Sequence, residues 1–165
     1  MIFAVLDTNI LISAALAHNK YSIPYSVFRG VVERRFVPLV DDNIVREYWE
    51  VFSRPKFSFM QETINDIVGN TIKFAINQPV PPSGIELPDC DDVVFYDVAR
   101  AHQDKGAYLV TGNLKHFPNC GFAVSPRDFM NIITPNKGNH MANDNSAVYD
   151  PTGLLAALHE AQRQA

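Results

Sequence analysis

Cysteine is scarce in this chain. Cys90 and Cys120 are the only two among 165 residues, too few for a disulfide framework and without the paired spacing of a zinc site. The expectation is a reducing compartment, the cytoplasm. Long apolar runs are missing too: none approaches the ~18 residues that a membrane-spanning helix needs. The first apolar segment has no charged stretch before it and ends at Asp7, which argues against a secretory leader and against any membrane partner. Positive charge is not in surplus either. With 14 basic and 18 acidic residues the net charge is -4, unlike a protein that coats DNA without specificity. That balance still permits a protein that gathers acids in one metal site and carries basic residues around its rim. A Gly-rich phosphate loop, a Ser-His-Asp order and a His-rich zinc spacing are all absent.

What is present begins with Ile2-Phe3-Ala4-Val5-Leu6 running into Asp7-Thr8-Asn9. An unbroken apolar run of this kind reads as a strand buried on both faces. The acid at its C-terminal end sits where strand gives way to helix, and in open α/β sheets ligands bind beyond the carboxyl ends of the strands. Asp7 is therefore the first site candidate.

Strand and helix patterns then alternate. Helices are expected from Asn9 to Ala17, around Val27, Val31 and Val32 (with Gly30 as a weak point), from Asn43 to Phe52, from Gln61 to Ile76, from Asp89 to Gln103, and from Arg127 to Ile133. Strands are expected at 36–40, 107–111 and 122–126, with Pro38 pointing to an edge or a strand start. Pro79 to Pro82 reads as extended linker. The order implies an α/β sandwich with a mostly parallel sheet. Three segments follow from the composition: a folded domain over residues 1–133, a polar Asn/Gly/Pro-rich linker over 134–151, and a C-terminal helix or tail over 152–165.

Further polar positions fall at strand ends and helix starts. Glu47 borders the apolar stripe of Ile44, Tyr48, Val51 and Phe52, whereas Glu50 shares the polar side with Arg46. Asp92 borders Phe95 and Ala99 on the next helix; Asp97 lies on the opposite, surface side. Asp89 and Asp91 read as helix-start acids. Thr111-Gly112-Asn113 follows a buried strand as Asp7 does, and Asn113 suits either a turn or a ligand role. Three converging carboxylates repel, and their burial raises their pKa values. A divalent cation such as Mg²⁺ or Mn²⁺ resolves that conflict, since both prefer oxygen ligands.

Four stretches together resemble the PIN domain family of metal-dependent ribonucleases. They are Val5-Leu6-Asp7-Thr8-Asn9-Ile10-Leu11, the segment from Arg46 to Phe57, Pro88-Asp89-Cys90-Asp91-Asp92-Val93-Val94-Phe95, and the segment from Leu109 to Phe117. The nearest branch is that of the VapC-like toxins of toxin–antitoxin systems. The resemblance covers residues 1–133 and implies a three-layer α/β/α sandwich. It makes Asp7, Glu47 and Asp92 the catalytic, metal-holding acids, with Asn9, Thr111 and Asn113 in support and Mg²⁺ or Mn²⁺ as cofactor. Where the wider family often has Asp, this chain has Asn113, which leaves one side of the site poorer in charge; Asp89 or Asp91 can compensate.

The resemblance implies hydrolysis of an RNA phosphodiester by in-line attack of water, leaving a 3′-hydroxyl and a 5′-phosphate. Arg46, Arg54, Lys56 and Lys115 flank the acids in sequence and are candidates for phosphate contacts. His116 reads as structural in preference to a general base. The implied partners are an RNA substrate, a protein antitoxin and a second copy of the chain. Two alternatives compete: a PIN-like RNA- or protein-binding module with little or no activity, and a phosphatase with Asp7 as nucleophile. The second lacks the acid that it needs at position 9.

Overall fold

The computed structural model describes residues 1–134. The expected linker beyond Thr134 and the expected helix at 152–165 lie outside the described residues. Strand β1 (Phe3–Leu6) leads into helices α1 (Thr8–Ala15) and α2 (Ile23–Val32), then β2 (Val37–Val40) and α3 (Asp42–Phe52). A 3-10 stretch over Pro55–Met60 precedes α4 (Gln61–Phe74) and β3 (Ile76–Asn77). A 3-10 turn over Cys90–Asp92 opens into α5 (Val93–Ala101), followed by β4 (Tyr108–Val110), β5 (Ala123–Val124) and α6 (Pro126–Ile133).

The five strands form one sheet in the order β3-β2-β1-β4-β5, and every adjacent pair is parallel. This is the α/β/α architecture expected from the sequence. The apolar run of β1 is explained by its central place, with Ala4, Val5 and Leu6 essentially inaccessible. Its register sets Leu6 opposite Val110 of β4. The two strands therefore end side by side, and whatever follows each of them shares one crevice.

Helix starts are fixed by short polar caps. Asp7, Ser22, Asp41 and Ser125 each accept a backbone N–H from the first turn of the helix that follows, which satisfies donors that the helix itself leaves open. Gly30 does not break α2. A β-carbon there would lie 3.1 Å from both Ile133 of α6 and Phe36, so glycine permits a close approach of the two helices.

Three expectations need correction. Two-residue β3 occupies the end of what the periodicity gives as helix, because α4 stops at Phe74 and Ile76 pairs with Leu39. Pro38 lies in β2, a strand with neighbours on both sides. It costs no ladder bond: the Val37 N–H points to β1, bonding Ile2 O at 2.9 Å, so Pro38 faces the other way, where the pairing with β3 begins only at Leu39. Asp97 is buried, not a surface residue. Its carboxylate accepts the Ser83 backbone N–H at 3.1 Å, pinning the Pro-rich segment across α5.

Candidate metal centre

Asp7 occupies the junction of β1 and α1 and is 3% exposed. Both of its carboxylate oxygens are held. One accepts the Asn9 backbone N–H at 3.0 Å, and the other accepts the hydroxyl of Thr111, which follows β4, at 2.6 Å. Thr111 Oγ1 in turn accepts the Asn113 N–H at 3.0 Å. The expected support from Asn9 therefore comes from its backbone, and that from Thr111 from its side chain. Burial raises the Asp7 pKa above the usual carboxylate range, although these two hydrogen bonds pull the other way.

Helix α3 is tied to the same place. The Tyr48 hydroxyl, wholly buried, donates to Leu6 O at 2.5 Å. This fixes the helix over the end of β1 and brings the adjacent Glu47 within electrostatic reach of Asp7. Glu47 is half-buried and Glu50 exposed, as the helical pattern predicts. Desolvation raises the Glu47 pKa, helped by the charges of Asp91 and Asp7, while Arg54 opposes them. Beside it runs an open groove of about 200 Å³ whose lining includes Arg46, Glu47, Glu50 and Asp91.

The third arm is α5. Asp92 lies at its start, 9% exposed, and its pKa is raised to about 6, first by desolvation and then by Asp7. Its Oδ2 lies 2.6 Å from His116 Nδ1, and His116 Nε2 lies 2.6 Å from the Asn113 amide nitrogen. An amide N–H donating to Nε2 leaves the ring proton on Nδ1, which donates it to Asp92. One ligand atom each from Asp89, Asp92 and His116 falls within 4.8 Å of the others. Asp7 interacts electrostatically with Glu47, Asp92 and His116.

Of the four basic candidates, Arg46 lines the groove and Arg54 acts on Glu47. Lys56 lies over the Phe57 ring, 5.0 Å from its centre, and Lys115 is exposed beside His116. The sequence pattern points to His116 as structural and to Asp89 as a helix-start acid. The only available signal for either was position, since both flank residues already singled out.

These residues suit a hard divalent cation. The donors are mainly carboxylate oxygens, Asp7 and Asp92 are buried, and neighbouring acids help to raise the pKa values of Glu47 and Asp92. The Thr8 hydroxyl, next in the chain to Asp7, is buried without a hydrogen-bond partner among the described residues. The PIN domain family model matches residues 4–115. The chain belongs to the PIN domain family. The matched range includes Asp7, Glu47, Asp92, Thr111 and Asn113, and His116 is the residue that follows it. No curated protein and no solved structure matches the chain. PIN domains are typically nucleases that use divalent metal ions; among the described residues, the groups of donor atoms within 4.8 Å of one another include Asp92 but neither Asp7 nor Glu47. Among the described residues, no helix is long and apolar enough to cross a membrane.

Proposed function

We propose that this PIN domain is a metal-dependent endoribonuclease that hydrolyses RNA phosphodiester bonds, and that it serves as the toxin of a toxin–antitoxin pair. One observation carries the nuclease reading. Asp7 and Asp92, from the ends of different elements, are both buried, and the Asp92 pKa is raised to about 6, first by desolvation and then by the charge of Asp7. Among the described residues, His116 offsets part of this cost at both acids, and a bound cation would offset more of it. Bound Mg²⁺ or Mn²⁺ supplies positive charge to the phosphate and makes water a better nucleophile.

The chain's own residues do the rest. Asp7, Glu47 and Asp92 hold the cation, with Asp7 locked in orientation by Asn9 N–H and Thr111. Glu47, on the groove side and half-exposed, is also placed to orient water. Arg46 and Arg54 stand on the same side and steady the phosphates of the strand, since guanidinium groups fit phosphate oxygens well. Groove recognition of this kind suits unpaired RNA, whose backbone and bases are open to contact.

The test is cleavage of single-stranded RNA by the purified full-length chain. Cleavage should require Mg²⁺ or Mn²⁺, stop with EDTA, and fall by about 10²–10³-fold or more in Asp7→Asn. Asparagine caps a helix about as well as aspartate, so the variant should fold. Equal cleavage by the variant would reject the assignment. Asn113, which brings no charge and is engaged with His116, favours the second reading, a binding module. Metal binding without turnover on any RNA would select it. The toxin role predicts growth arrest on expression, relieved by a co-expressed protein that blocks the site.

A further inference from the structure

We propose that Asp89, Asp92 and His116 form a mixed oxygen–nitrogen cation site in which the His116 imidazole is a direct ligand, giving this PIN domain a preference for transition-metal ions over Mg²⁺. The inference rests on the metal-dependent reading above and adds a residue that lies outside the matched family range.

Geometry is the first support. Metal–ligand bonds of ~2.0–2.2 Å put neighbouring ligand atoms about 3 Å apart and opposite ones about 4 Å apart. The three donor atoms already lie within 4.8 Å of one another, so small side-chain rotations would let them surround one ion. Asp92 Oδ2 and His116 Nδ1, 2.6 Å apart, share a proton at the position that a cation would take. Asp89 is only partly engaged: its Oδ1 accepts the Asp91 N–H at 3.1 Å, and its other oxygen remains to be directed inward.

Asn113 is the second support. A ligating imidazole uses one nitrogen for the metal and donates the N–H of the other to an outer partner, which fixes the ring. Here the far nitrogen, Nε2, already faces the Asn113 side-chain amide at 2.6 Å. An amide can serve either state. With the proton on Nδ1 its NH₂ donates to Nε2, and after rotation its carbonyl oxygen accepts an Nε2–H once Nδ1 turns to the metal. The amide at position 113, which leaves an all-carboxylate site poorer in charge, is thus the group that a histidine ligand requires. Imidazole favours transition metals such as Co²⁺ and Zn²⁺, whereas Mg²⁺ keeps to oxygen.

The experiment uses the full-length protein. Pulsed electron paramagnetic resonance of the Mn²⁺-loaded wild type should show nitrogen coupling from one imidazole, and His116→Ala should lose it. By calorimetry, His116→Ala should weaken Co²⁺ at least about tenfold and Mg²⁺ less than about threefold. Wild-type protein that binds Mn²⁺ without nitrogen coupling overturns the inference, and needs no variant to fold. If in that case Asp92→Asn still abolishes binding and RNA is still cleaved, the nuclease reading stands with carboxylates alone. Nitrogen coupling in a protein that cleaves no RNA would keep the cation site and remove the nuclease.

Discussion

β1 and β2 end alike. Each finishes in an aspartate that caps the next helix: Asp7 for α1 and Asp41 for α3. Both aspartates are buried, and each has both carboxylate oxygens hydrogen-bonded. Their partners differ in origin. Asp41 is satisfied locally, by Ile44 N–H at 2.9 Å and the Asn43 amide at 3.0 Å. Asp7 takes one of its hydrogen bonds from Thr111, brought in by β4, and it shares its surroundings with Glu47 and Asp92. A strand that ends in a capping acid is a local motif; the order of strands decides which such acid becomes a site. β1 has β4 beside it, where the sheet order reverses, and that is where ligands enter folds of this class.

Paired substitutions test the contrast most strongly. Asp7→Asn should remove RNA cleavage, while Asp41→Asn, which keeps the cap, should leave it within about twofold of wild type. Comparable losses in both would mean that the site extends to β2.

Asp92, at the start of α5, gives the next test. The Asp92 pKa in the folded protein is near 6, above its ordinary value of 3.8, so the native state binds the proton more tightly than the unfolded chain does. Its contribution to metal-free stability is therefore most favourable below about pH 4 and is lost as pH rises through 6. Urea unfolding in EDTA at pH 5 and 7.5 should show this fall in the wild type and a smaller one in Asp92→Asn. Mn²⁺ should raise stability at pH 7.5. An identical pH dependence in both proteins would refute the account of burial at this site.

Smaller effects probe the joints. Tyr48→Phe removes the donor to Leu6 O and leaves a buried carbonyl unpaired, which should cost about 1–3 kcal/mol in urea unfolding. Asp41→Ala, which loses only a cap, should cost about 1 kcal/mol and leave metal affinity unchanged by calorimetry. If Asp41→Ala proved the more damaging, Tyr48 would not be what holds α3 at the site.

Much of this was legible in the sequence because it is written locally. A buried run ending in Asp7, a helical stripe bordered by Glu47, and a second buried run ending at Thr111 each predict both an element and the end of it that matters. The shift of His116 from a structural histidine to a partner of Asp92 was not legible, since nothing in spacing reveals which ring nitrogen faces what. Asp97 was misread because the residue that satisfies it, Ser83, belongs to a Pro-rich segment with no periodicity to place it. β3 is two residues long, too short to show a period of its own.

The Thr111–Asp7 hydrogen bond joins residues 104 positions apart. A nascent chain lacks the second strand of the crevice until β4 has been made, and a chain cut before residue 111 never gains it. Closing so long a loop is among the later and more cooperative events of folding. The crevice should therefore be completed only with the finished domain, so that a chain ending before β4 carries Asp7 without the hydroxyl that orients it.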